Sequence, residues 1–186
     1  MDISPYLHKQ CITLNSSATT KEAVLREIAS LAKNNDALSD IAEDEIFEKL
    51  QAREEISTTG FGKGIAIPHC FIDSLNSFVI GILVTKDGVD FASIDGSPTR
   101  IFVFIIGPKT KRNEHISILS GFSKMLMNKE SVDFLLSAES VEDVYTFVIR
   151  HLQFTKEKPQ ESIEKCLFHV FVQDEALFEE ILQLFS

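Results

Sequence analysis

Two nearly continuous apolar segments, 77–85 and 100–106, constrain the fold of this chain more than any other feature. Turn-forming residues lie between them, at Lys86-Asp87-Gly88 and at Asp95-Gly96-Ser97-Pro98. A strand that faces water on one side alternates between apolar and polar residues, whereas a strand buried on both faces does not. The two segments therefore predict interior strands of a covered sheet.

Helical periodicity on both sides of these strands indicates the covering layers. We predict a first helix over about 20–33, a second that reaches Arg53, a third capped by Asn113 and a last one capped by Ser140. Apolar residues recur in them at helical spacing: Val24, Ile28 and Leu31; Ile41, Phe47 and Leu50; Ile118, Leu119 and Phe122; Val141, Val144 and Val148. The chain is expected to begin with two helices and to form an α/β domain.

A glycine-rich segment, 58–64, follows the second helix and is predicted to be a loop, because its three glycines at alternate positions permit unusual dihedrals. Residues 65–67 then indicate a short buried strand, which Pro68 ends by removing a backbone donor. His69 is therefore expected just beyond a strand end, held by the backbone and accessible.

Two interpretations of His69 are open at this point. A rigid, accessible neutral imidazole is a competent nucleophile, and an N-phosphorylated ring keeps a good leaving group. The alternative is an ordinary loop histidine. The glycine spacing matches neither dinucleotide-binding nor P-loop patterns, and no helix opens directly after it, so nucleotide binding is not predicted.

His115 and Arg53 are further candidates for a phosphate site. His115 lies on the inward face of the third helix, in its first turn, where helix donors favour an anion; the alternative is a core histidine. Arg53 has the fork geometry that suits phosphate, or it is a solvated residue at a helix end. The acidic residues of 43–55 suggest a solvated helix face.

Composition disfavours several functions. With 18 Lys and Arg against 28 Asp and Glu, the formal net charge is −10, which disfavours binding to nucleic acid or anionic lipid. The apolar runs are too short to insert in a membrane, and no export signal is visible, so a cytoplasmic protein is expected. Three scattered cysteines suggest neither a disulfide framework nor a zinc site, and no cofactor is predicted. Cys70 is expected to be a buried filler.

The chain is expected to divide into a main domain, 1–151, a polar linker, 152–165, and an extension, 166–186. The extension has an apolar strand pattern at 166–172 and a helical one at 177–185. One strand and one helix cannot close a core alone, so their apolar faces need a cover. Dimerisation through 166–186 is the favoured expectation, with docking on the main domain or on a partner as alternatives.

The sequence from Arg53 to His69, REEISTTGFGKGIAIPH, resembles the active-site signature of fructose/mannitol-type IIA domains of the sugar phosphotransferase system, including their nitrogen-regulatory relatives. Later segments resemble the family in the same order, among them Gly88-Val89-Asp90-Phe91 and the run from Glu114 to Leu119. The likeness covers about residues 1–150.

The resemblance implies a mixed β-sheet flanked by helices. It also implies that His69 accepts a phosphoryl group from a phosphohistidine carrier (HPr or its nitrogen-branch counterpart), with His115 as the second site histidine and Arg53 as the arginine before the loop. The next partner would be a IIB component or a regulated protein. Two hypotheses follow: a phosphocarrier, and a regulatory module whose phosphorylation state controls docking. A structural domain without catalysis is a weaker third.

Overall fold

The two apolar segments of the sequence form neighbouring central strands in the computed structural model, which describes residues 2–153. The strands are β1 Leu7–Ser16, β2 Gly60–Gly62, β3 Ile65–Ala66, β4 His69–Phe71, β5 Val79–Val89 and β6 Thr99–Gly107. The α-helices are α1 Lys21–Ala32, α2 Glu43–Ile56, α3 Arg112–Met127, α4 Lys129–Ser137 and α5 Val141–Gln153. Short 3₁₀ helices lie at Asp36–Leu38 and Lys109–Lys111.

The strands form one mixed sheet in the order β1-β5-β6-β3-β2, and β4 also pairs with β6. β1 is parallel to β5, and β3 and β4 are parallel to β6. β5 with β6 and β2 with β3 are antiparallel. The predicted fold class, a mixed sheet flanked by helices, is confirmed.

The central strand β6 explains why its sequence lacks polar alternation. Phe102, Phe104 and Ile106 face a core made with α1 and α2, whereas Val103 and Ile105 face a second core made with α3, α4 and α5. Each of these side chains is fully buried. Burying a side chain of this size contributes about 1.5–3 kcal/mol, so both faces of the strand stabilise the domain.

The helix boundaries agree with the predicted ones in most places. Thr20 caps α1 by accepting from Ala23 N, and Ser140 accepts from Asp143 N at the start of α5. The prediction of Asn113 as a cap was wrong: the 3₁₀ helix brings the chain directly into α3, which begins one residue earlier without a side-chain cap.

Three other predictions need correction, and one helix was missed. The chain begins with β1, not with two helices. This strand was missed because the polar residues His8, Lys9 and Gln10 interrupt its apolar pattern and its parallel partner is distant in sequence. The turn expected at 86–88 is absent, since β5 continues to Val89, which pairs with Thr99. The glycine-rich segment contains β2 and is not wholly a loop. The separate helix α4 was not predicted.

Only part of the C-terminal predictions concerns residues that the structure describes. α5 continues to Gln153, and Leu152 is buried. The rest of the predicted linker and the whole extension 166–186 lie outside the described residues. The division into domain, linker and extension therefore stays a prediction.

Candidate active site

His69 opens β4, and its position follows from the way Pro68 interrupts the sheet. β3 and β4 pair with β6 in one continuous register on either side of Ile67 and Pro68. Pro68 has no N–H to give, but its carbonyl accepts from Ile105 N at 3.0 Å, so the pairing survives. His69 is thus the first residue of a strand and not a loop residue beyond one, and its side chain is half-buried.

Two hydrogen bonds orient the imidazole of His69. Nδ1 lies 2.9 Å from the carbonyl oxygen of Ile67, and Arg53 Nε donates to Nε2 at 3.1 Å. A carbonyl can only accept, so Nδ1 carries the proton, and the donor at Nε2 requires a lone pair there. The ring is the neutral tautomer whose nucleophilic nitrogen is Nε2.

The surroundings keep His69 neutral near pH 7. Burial lowers the pKa of His69 below its ordinary value of 6.5 and the charge of Arg53 lowers it further, while the Ile67 carbonyl and the Glu54 carboxylate act in the opposite direction. A neutral ring has its lone pair available for attack on an electrophile.

Arg53 reaches His69 from the last turn of α2. Its Nη1 also donates to the carbonyl oxygen of Ser57 at 3.0 Å, just beyond the helix end. The guanidinium is therefore fixed at one side and directed at Nε2 on the other. A planar cation held in this way suits binding of a phosphoryl group.

His115 lies against His69, with ring centroids 5.2 Å apart. Its ring packs on Phe71 and Phe78, and only 4% of the residue is exposed. Burial, with the nearby His69 and Arg53, lowers the pKa of His115 to about 4, so the ring is neutral at pH 7. Neither ring nitrogen has a hydrogen-bond partner within residues 2–153. Such buried groups are costly in a protein interior unless ordered water or a ligand atom supplies the hydrogen bonds.

Sequence reasoning missed Glu54, which was grouped with a solvated helix face. The residue is only 6% exposed. Its carboxylate accepts from Thr59 N and from Thr59 Oγ1, and it pairs with Lys21 Nζ at 2.9 Å. Its position directly after Arg53 and shortly before Thr58-Thr59-Gly60 is the signal in the sequence that could have suggested a buried carboxylate bonded to that segment.

The glycine-rich segment brings the backbone close to the 90–97 turn. A side chain at Gly62 would meet the Asp95 carboxylate, and Gly62 has φ +92°, a conformation that favours glycine. Asp95 accepts from Lys63 N at 2.8 Å. The unusual dihedrals predicted for this segment are confirmed, since Gly62, Lys63 and Gly64 all have positive φ.

These elements form a shallow cavity of about 190 Å³ beside His69. Phe61 and Ile94 line it and remain 55% and 74% exposed. Arg53 and Leu119 also line it. The cavity is too small and open to enclose a large ligand, and it leaves the nucleophilic ring accessible to another protein.

Two further searches concern the described part of the chain. No three His, Cys, Asp or Glu side chains of residues 2–153 are grouped so that they could hold a metal ion. Within the same residues, no helix has the length and apolar character needed to cross a membrane.

Comparison with known proteins gives one consistent set of relatives. Residues 5–151 match the family described as phosphoenolpyruvate-dependent sugar phosphotransferase system, EIIA 2. A nitrogen regulatory protein of Pseudomonas aeruginosa is 35% identical over 136 residues, which are 73% of this chain and 87% of that protein. The fructose-specific EIIA component of a PTS system of Haloferax volcanii is 32% identical over 151 residues, 80% of this chain and 97% of that protein.

The fold agrees with these matches. The crystal structure of the nitrogen regulatory protein IIA-Ntr from Neisseria meningitidis is similar with a TM-score of 0.74 at 26% identity. The similarity covers 78% of this chain and 98% of that one. Arg53, His69 and His115 all lie within residues 5–151, the range that matches the family.

Proposed function

The chain belongs to the EIIA 2 family of the phosphoenolpyruvate-dependent sugar phosphotransferase system, and we propose that it carries the phosphoryl group on Nε2 of His69. Members of this family are phosphoryl-transfer components. The single observation that carries the assignment is the fixed tautomer of His69. Its Nδ1 proton is held by Ile67, and its Nε2 lone pair faces Arg53.

The transfer begins with in-line attack of the Nε2 lone pair on the phosphorus of a phosphohistidine donor. A nitrogen–phosphorus bond forms on His69 as the donor's bond breaks, and the electron pair returns to the donor imidazole. His69 keeps its Nδ1 proton, so its ring becomes positively charged. The Ile67 carbonyl stabilises that charge, and the charged ring is a good leaving group in the next transfer.

Arg53 and His115 stabilise the phosphoryl group without accepting it. The hydrogen bond that Arg53 now makes to Nε2 must break as the lone pair attacks phosphorus, and the Arg53 donor then binds a phosphoryl oxygen. His115, whose ring nitrogens lack partners within residues 2–153, can donate an N–H to a second oxygen. Charge-assisted bonds of this kind contribute about 1.5–3 kcal/mol each.

The donor and acceptor belong to the same proposal. The donor is a phosphohistidine carrier of the HPr type, and the acceptor is a IIB component or a regulated protein. The regulatory alternative has its own support, because the relatives at 35% and 26% identity are named as nitrogen regulatory proteins. Self-association through 166–186 and a cytoplasmic location are further parts of the proposal. Fractionation of cells tests the location.

Labelling with phosphoenolpyruvate, the first enzyme of the relay and its carrier protein tests the assignment. The wild type should acquire an acid-labile phosphate, and ³¹P NMR should identify it as bonded to Nε2. His69→Gln should not label, whereas His151→Gln, a change at an exposed histidine of α5, should label like the wild type. Full labelling of the His69→Gln variant would overturn the proposal.

A separate measurement distinguishes transport from regulation. Phosphorylated protein is mixed with a purified IIB component, and loss of phosphate to IIB supports the carrier role. A phosphate that stays on the chain while its affinity for another protein changes favours the regulatory role.

A further inference from the structure

Two sets of contacts, the two arms, connect the buried carboxylate of Glu54 with the two hydrogen bonds that hold the His69 ring. One arm is the preceding residue of α2, Arg53, which donates to His69 Nε2. The other begins at Thr59, whose N–H and hydroxyl both donate to Glu54. A single acidic group therefore connects the helix end with the glycine-rich segment.

The second arm continues through the backbone to the other nitrogen of His69. The Thr59 carbonyl accepts from Ile67 N at 3.0 Å, and the Ile67 carbonyl accepts from His69 Nδ1 at 2.9 Å. Fixing Thr59 thus fixes the carbonyl that selects the tautomer of His69. A displacement of this carbonyl would remove the acceptor of the Nδ1–H hydrogen bond. The ring could then rotate, and Nε2 would no longer have a fixed direction.

Lys21 completes the arrangement from α1. Its ammonium group pairs with Glu54 and lies 4.8 Å from the centroid of the Phe91 ring. The carboxylate is nearly inaccessible, so its charge is little screened by solvent. Three donor groups, two from Thr59 and one from Lys21, surround the carboxylate.

We propose that Glu54 is a positioning residue for phosphoryl transfer: it fixes the Ile67 carbonyl through Thr59, and its negative charge stabilises the positive charge that develops on the His69 ring. The inference rests on the proposed function of His69. Glu54 does not touch the reacting atoms and acts through its neighbours. It contributes most when the ring is cationic, which is during and after transfer.

The charged groups around His69 determine what the experiment should measure. Arg53 faces the ring from α2 and is a cation. His115 faces it from α3 and becomes a cation only when it is protonated. Glu54 acts in the opposite direction and raises the pKa of His69, while burial and Arg53 lower it. Lys21 pairs with Glu54, and we expect its positive charge to offset part of the carboxylate's effect on His69.

The test compares Glu54→Gln, Lys21→Met and the control Glu55→Gln in the full chain. Glu55 is the adjacent acidic residue, and it is exposed. NMR titration of the His69 ring should give a lower pKa in Glu54→Gln and a higher one in Lys21→Met than in the wild type. Glu55→Gln should leave it unchanged. Both substitutions weaken the same ion pair, so a purely structural role would not move the pKa in opposite directions.

Transfer rates provide the second readout. Phosphorylation of Glu54→Gln by the donor should be slowed at least about tenfold, and Glu55→Gln should react at the wild-type rate. Thr59→Val keeps the charge and the backbone donor but loses the hydroxyl. It should slow transfer without lowering the pKa of His69, and it serves if Glu54→Gln does not fold.

Two results would overturn the inference: unchanged His69 titration in folded Glu54→Gln, or shifts of the same sign in Glu54→Gln and Lys21→Met. The titration needs no phosphoryl donor, so it remains informative if His69→Gln still labels. In that case the proposed acceptor fails, while the effect of Glu54 on the imidazole is judged separately.

Discussion

His69 and His115 face each other with ring centroids 5.2 Å apart, and they differ in how their nitrogens are bonded. Both nitrogens of His69 have partners, whereas neither nitrogen of His115 has one in the described part of the chain. The two bonds hold the first ring in one tautomer and one orientation. The second ring is neutral, so one of its nitrogens can donate an N–H to a phosphoryl oxygen and the other can accept a hydrogen bond.

Replacing His115 by Phe should therefore slow transfer without abolishing it. The aromatic ring keeps the packing on Phe71 and Phe78 but removes the donor, and loss of one charge-assisted bond corresponds to about a ten- to a hundredfold slower reaction. Quenched-flow labelling gives the rate, with His151→Phe as the matched control. Unchanged phosphorylation and dephosphorylation rates would make His115 a core histidine only.

The same variant should change how stability depends on pH. The pKa of His115 is about 4 in the folded protein against about 6.5 when unfolded, so the unfolded chain binds the proton first. The stability contributed by the neutral ring is present above pH 6.5 and is lost as the pH falls towards 4. At pH 5 the wild type should have lost about 2 kcal/mol through this group. Urea unfolding should show a smaller loss in His115→Phe between pH 7 and pH 5.

Arg53 is expected to affect both the rate and the basicity of His69. Arg53→Gln removes the donor to Nε2 and a nearby positive charge, so transfer should slow by about ten- to a hundredfold and the pKa of His69 should rise. Arg53→Lys restores the charge without the fork and should be intermediate in rate. Arg150→Gln, at an exposed arginine of α5, is the control. A lower pKa in Arg53→Gln would contradict the electrostatic account.

The candidate site residues were easier to identify from the sequence than the contacts between them. Residue patterns alone made Arg53, His69 and His115 candidates with open alternatives, and the resemblance to IIA domains selected them. The structure brings the three together. Glu54 was not a candidate, because burial of a charged residue in a helix depends on Lys21 and Thr59, which lie on other elements. A sequence pattern contains no information on such cross-element partners.

The fold shows the same division between local and distant determinants. The interior strands and α1 follow from local patterns and were predicted. β1 was missed because its burial depends on parallel pairing with β5, some seventy residues away. The strand β4 was missed because a strand beginning directly after Pro68 exists only by continuing the register of β3 on β6.

The apolar rim of the His69 cavity should contribute to binding of the donor. Phe61 is 55% exposed beside His69. A few aromatic side chains often contribute much of the affinity of a protein interface, and truncating one of them removes that contribution. Phe61→Ala should raise the KM for the phosphorylated donor by about tenfold and leave kcat nearly unchanged. Ile56→Ala is the matched control, because Ile56 is 73% exposed but does not line the cavity. Equal effects of the two changes would exclude a specific contribution of Phe61.

The C-terminal extension should be dispensable for phosphorylation but not for self-association. The family match ends at residue 151, and the Haloferax volcanii relative is covered over 97% of its length by the matched region. The apolar patterns at 166–172 and 177–185 would leave a large exposed apolar patch if nothing covered them.

Deleting residues 154–186, and so sparing α5 with its buried Leu152, should leave labelling of His69 at the wild-type rate. The same deletion should shift the sedimentation mass from dimer to monomer, because the predicted strand 166–172 has a free edge that favours pairing with the same strand of a second copy. A full-length chain that sediments as a monomer at high micromolar concentration would rule out the dimer. Loss of labelling in a folded truncated chain would instead show that the extension takes part in transfer.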